Sequence, residues 1–89
     1  MRRVELELKK MTSVAGLHQH LYKLLALPKY YGCNLDALHD CLTEIAEEME
    51  IIIPKEVATE KYLGEYGEGL IQVFEDSAEE NPCLKIIIK

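Results

Sequence analysis

Positive charge is in short supply along this chain. Ten Lys and Arg residues face sixteen Asp and Glu, a formal net charge of −6. Such a balance repels nucleic acid and anionic membranes and leaves a basic partner as the natural complement. Between Tyr31 and Lys55 there is no Lys or Arg at all. Cysteine is also sparse: Cys33, Cys41 and Cys83 are odd in number and lack C-x-x-C spacing, which disfavours a disulfide framework or a zinc site and fits reduced thiols. Cys41 and Cys83 fall at expected core positions, Cys33 in a loop. No apolar run approaches the ~18 residues of a membrane helix, and Met1-Arg2-Arg3 leads into alternating Val4-Glu5-Leu6-Glu7-Leu8 instead of a signal-peptide core. A cytoplasmic protein is expected.

Catalytic signatures are missing too. There is no phosphate-binding glycine loop, no H-E-x-x-H and no G-x-S-x-G elbow. Repeats, linkers and low-complexity tracts are absent. The 89 residues, 48% hydrophobic and 29% charged, suit one small globular domain over residues 1–89 with a single core.

Val4, Leu6 and Leu8 alternate with Glu5 and Glu7, the period-2 pattern of a half-buried strand ended by Lys9 and Lys10. Thr12 or Ser13 caps a helix bearing Val14, Leu17, Leu21, Leu24 and Leu25 at helical spacing until Pro28. His18 and His20, two apart, point to different sides of that helix and read as surface or partly buried structural residues, with no metal role. Glu50-Ile51-Ile52-Ile53 reads as a strand covered on both faces. Lys55 to Leu63 reads as a short helix and Gly64 to Gly67 as a loop. Leu70, Ile71, Val73, Phe74 and Ala78 then mark a further helix stopped before Pro82, and Cys83 to Lys89 a last buried strand. Strands separated by helical crossovers predict an α/β fold with a parallel sheet and Ile51 to Ile53 at its centre.

The segment Leu27 to Glu48 carries the chemistry. Pro28 and Gly32 flank Tyr30 and Tyr31, and Asn34 stands where an N-cap satisfies the free N–H groups of a helix starting at Leu35. At 100° per residue, Leu38, Cys41, Leu42, Ile45 and Met49 gather on one side, and Asp36, Asp40, Thr43 and Glu47 on the other. Asp36 and Asp40 repel by roughly a few tenths of a kcal/mol, and Glu44, Glu47 and Glu48 lie toward the negative end of the helix dipole. The helix gives up stability to concentrate acid beside aromatics. Asp36, His39 and Asp40 would suit acid–base or metal chemistry, but no second cluster completes such a site. No catalytic residue, metal or cofactor is therefore assigned.

Leu27 to Leu42, L-P-x-Y-Y-G-x-N-L-D-A-L-x-D-C-L, closely resembles the signature of the barstar family, intracellular inhibitors of the secreted ribonuclease barnase. Leu17-His18-Gln19, Leu25-Ala26-Leu27-Pro28, Gln72-Val73-Phe74 and Ile86-Ile87 extend the resemblance over nearly the whole chain, most weakly between Met49 and Gly69. It implies a small three-stranded parallel sheet packed with about four helices. It also implies a protein that is monomeric when free and binds a basic extracellular ribonuclease of the barnase type one-to-one. The acidic helix would mimic RNA phosphate, with Asp40 in the phosphate site and Asp36 pairing neighbouring cations. Tyr30, Leu35 and Thr43 match family contact positions, Asp76 an outlying acidic contact, and Asn34, His39 and Glu44 complete the partner-binding set. Tyr31 is expected to pack on its own domain. The family has tryptophan at the positions of His39 and Ile45 and glycine at that of Glu44, departures that point to a shifted choice of ribonuclease. The alternative is a barstar-like interaction domain or an immunity protein for a different basic toxin.

Overall fold

The computed structural model describes all residues from Met1 to Lys89. Its elements in chain order are β1 (Arg2–Glu5), α1 (Val14–Leu24), α2 (Leu35–Thr43), β2 (Met49–Ile53), α3 (Gly64–Glu80) and β3 (Leu84–Ile88), with 3-10 turns at Leu8–Lys10 and Lys55–Ala58. The sheet order is β1-β2-β3 with both pairings parallel. β2 is therefore the central strand, as its β-branched run predicts, and Met49, Ile51, Ile52 and Ile53 are all buried.

Alternation along β2 divides the sheet. Met49, Ile51 and Ile53 join one cluster with Leu17 and Leu21 of α1, Leu38 and Leu42 of α2, and Leu70 and Phe74 of α3. The opposite face carries a row in register across the three strands, Arg3, Glu50 and Lys85. Glu50 there takes Arg3 Nε at 3.0 Å and Lys85 Nζ at 3.9 Å. No helix is long and apolar enough to cross a membrane.

Several boundaries differ from the sequence expectation. β1 stops at Glu5, not Leu8; opposite it, β2 runs into Pro54, which has no N–H to extend the ladder. Three α-helices form, not about four, because Lys55–Leu63 folds only as a 3-10 turn and following turns. The stretch Gly64 to Gly67 is the first turn of α3, not a loop. A Cβ on Gly67 would drive into the backbone carbonyl of Val57, so that glycine serves a close helix approach and not a turn. α2 ends at Thr43, so Met49 lies on β2 and Glu47 and Glu48 in the connecting loop. β3 is an edge strand, Leu84–Ile88, in which only Leu84 is buried, and not the buried strand expected over Cys83 to Lys89.

His18 and His20 are both buried, and neither is a surface residue. His18 Nδ1 lies 2.5 Å from the Tyr31 hydroxyl and its Nε2 lies 2.7 Å from that of Tyr66. A neutral imidazole has one N–H and one lone pair, so one tyrosine accepts while the other donates. His20 Nε2 accepts the backbone N–H of Glu7 at 3.1 Å. Of the cysteines, all reduced, Cys33 is exposed, Cys41 buried and Cys83 in between.

Candidate functional site, the acidic face of α2

The loop before α2 is fixed from beneath. Tyr31 turns inward to His18, and burial raises its phenol above the usual tyrosine range. The Tyr31 N–H donates to the Pro28 carbonyl at 2.9 Å, closing the turn. Tyr30 is thereby thrown outward and is 78% exposed. Cys33 takes a left-handed conformation with φ of 54°, which delivers the chain to Asn34. The Asn34 Oδ1 then accepts the Ala37 N–H at 2.7 Å while its Nδ2 donates to the Gly32 carbonyl. One side chain satisfies an orphan helix donor and binds the approach loop.

α2 buries Leu38, Cys41 and Leu42 and turns Asp36 and Asp40 to solvent. These two carboxylates have no ion-pair partner within the protein, whose salt bridges all lie elsewhere. Thr43, half-buried, donates its hydroxyl to the Asp40 carbonyl at 3.0 Å. Leu35 is also half-buried, packed so closely on α3 that a Cβ on Gly69 would lie 3.2 Å from its Cδ1. Under the acidic stripe, burial first, then the Glu44 and Asp40 carboxylates, raise the Cys41 thiol. It stays protonated and is no nucleophile.

His39 does not join Asp36 and Asp40 in a trio. Its Nε2 lies 2.6 Å from Glu80 Oε2 at the end of α3. Asp76 stands one helical turn before Glu80 and so shares that α3 face; its Oδ1 accepts the Gln72 amide at 2.8 Å. A polar strip thus runs Gln72, Asp76, Glu80 and across to His39. Glu44 is the exposed C-cap of α2. The Asn81 Nδ2 donates to the carbonyls of Leu42 and Ile45, both at 2.9 Å, satisfying the acceptors on which the helix ends. Glu47, expected to extend the acidic stripe, is instead bound to Arg2 at 3.1 Å.

Sequence reasoning missed Glu80, Gln72 and Asn81. The i, i+4 spacing of 72, 76 and 80 could have flagged the first two; nothing local marks Asn81. No group of three His, Cys, Asp or Glu side chains is placed to hold a metal ion.

Against this geometry stand two comparisons with known proteins. The family model described as "Barstar (barnase inhibitor)" matches residues 1–87. A Bacillus subtilis (strain 168) protein named "Putative ribonuclease inhibitor YrdF" is 32% identical over 91 residues, which span 100% of this chain and 100% of that protein.

Proposed function

The chain belongs to the barstar family, and from that premise we propose that it inhibits a basic secreted ribonuclease of the barnase type by seating α2 in the enzyme's active site. The observation that carries this reading is the pair Asp36 and Asp40, exposed on one rigid helix and unneutralised by any cation of their own molecule. A ribonuclease cleft arranges arginine, lysine and histidine around an RNA phosphate. A carboxylate offers the same cations two acceptor oxygens in the geometry they already favour. Asp40, held mid-helix, takes the phosphate position, and Asp36 pairs with the flanking cations.

Tyr30 adds a large rigid contact at the loop, with a polar tip that tolerates the rim. Leu35 and Thr43 frame the aspartates, Glu44 and Asn34 bound the patch at either end of α2, and Asp76 extends it onto α3. His39, coupled to Glu80, replaces the flat aromatic that the family presents between the two aspartates. The ribonuclease recognised therefore differs from barnase in what faces that position. The chain works by occupying a site and not by chemistry of its own.

Titration into a barnase-type ribonuclease, following RNA cleavage, tests this reading. One equivalent is expected to silence the enzyme. Undiminished cleavage by a panel of such ribonucleases at large molar excess of the protein would refute it.

A further inference from the structure

Lys10, Gly16, Gln19, His20 and Lys23 line a cup of about 300 Å³ on α1 and the turn before it. It shares no residue with the acidic face of α2. The space is many times the ~30 Å³ share of one water, and no hydrophobic residue lines it. Two lysines here make a cationic spot on a molecule of net charge −6. Gly16 sits close to the segment that bears Lys10: a Cβ there would lie 3.0 Å from Ser13 Oγ and 3.1 Å from the Lys10 carbonyl oxygen.

His20 supplies the second observation. It is only 7% exposed, and its ring is oriented by the Glu7 N–H donating to Nε2 at 3.1 Å. A nitrogen that accepts from a backbone amide carries no proton, so in the neutral ring the proton is on Nδ1. Nδ1 has no acceptor within the protein and is not among its sealed, unpaired polar atoms, and His20 is one of the residues that line the cup. Burial, more than the opposing pull of the Glu7 carboxylate, lowers the imidazole below the usual histidine range, and Lys10 adds to that effect. The neutral tautomer with its proton on Nδ1 is the resting form near neutrality. The Glu7 carboxylate stands at the rim, 3.4 Å from Lys10 Nζ and 3.9 Å from Lys9 Nζ, while Lys23 has no ion pair.

We propose that this cup binds a phosphate-type oxyanion, with the His20 Nδ1–H donating to one oxygen, Lys10 and Lys23 neutralising its charge, and the Gln19 amide giving a further donor. A dianion matches two ammonium groups better than a carboxylate does. The remaining volume admits the carrier of a phosphate monoester. The site is independent of the ribonuclease reading and stands whether or not that reading does.

The test is an NMR titration of ¹⁵N-labelled protein with inorganic phosphate and, in parallel, with phenyl phosphate, ionic strength being held constant with sodium chloride. Saturable shifts centred on Gly16, Gln19 and His20 are expected, and Lys23→Ala should weaken binding about tenfold, the worth of one charged hydrogen bond. His20→Ala also unpairs the Glu7 N–H and endangers the fold, so Lys23→Ala, at an exposed position without an ion pair, is the deciding variant. Tighter binding of phenyl phosphate assigns an organic phosphate as ligand, and equal binding the free ion; either supports the site. Shifts that never saturate, or equal affinity in Lys23→Ala, overturn it.

Discussion

Asp40 sits mid-helix without a cation of its own, whereas Asp76 lies on α3 with a hydrogen bond from Gln72. A paired carboxylate buried at an interface and one at its rim contribute unequally. Asp40→Ala is expected to cost about 2–5 kcal/mol of binding, a range adopted because its type case is the barnase–barstar complex itself, and Asp76→Ala under about 1 kcal/mol. Equal small losses in a binding titration would place the stripe outside the enzyme's site. His18 governs a second residue-scale behaviour. Burial lowers its imidazole from 6.5, so the unfolded chain takes up this proton at a higher pH than the native one. The contribution of His18 to stability is intact above about pH 6.5, fades as pH falls toward the lowered native value, and is constant below it. His20, also lowered, acts in the same sense. The urea midpoint at pH 5 is expected to lie below that at pH 7.5; a midpoint that rises on acidification contradicts this. Among the residues, the exposure of Asp36 and Asp40 was legible from helical spacing alone. The pairing of His39 with Glu80 was not, since it depends on which part of α3 comes to rest beside α2.

Element boundaries divide along the same line between local and distant causes. The start of α2 was legible because Asn34 is a cap whose partner, the Ala37 N–H, is three residues away. Ser13 at α1 is the same case, accepting from Gly16, and β2 announced itself through three consecutive isoleucines. The end of α2 was not legible, because Asn81, far along the chain, meets its last carbonyls. The start of α3 was misread because glycine has two uses, conformational freedom and closeness, and sequence does not distinguish them. Gly64 has φ of 52° with open space around it, while Gly67 abuts Val57 and Ala58 backbone. Gly67→Ala is therefore expected to cost about 1–3 kcal/mol or more, because backbone cannot yield as a flexible side chain can. Gly64→Ala is expected to cost only the ~1–2 kcal/mol of a left-handed alanine. Denaturant unfolding of both variants checks the order, and a less stable Gly64→Ala would show that α3 does not pack through Gly67.

At the scale of the whole molecule, the excess of six negative charges acts before any contact forms. A negative surface approaching a cationic cleft speeds encounter, and salt screens the attraction over a Debye length of about 10 Å at 0.1 M. Stopped-flow mixing with the ribonuclease is expected to show an association rate that falls at least about tenfold between about 0.05 and 0.5 M salt, with a much smaller change in dissociation. A salt-insensitive association rate would remove charge steering from the account. The fold follows from the same chain with one core, three parallel strands and α2 packed on one flank, its aspartates turned to solvent and unpaired. Whether that flank enters the cleavage site is decided by competition: the dissociation constant for a barnase-type ribonuclease, measured as an active-site mononucleotide is raised. The apparent constant is predicted to rise in proportion to the fraction of enzyme occupied by nucleotide. A dissociation constant unchanged at saturating nucleotide would mean that α2 binds elsewhere.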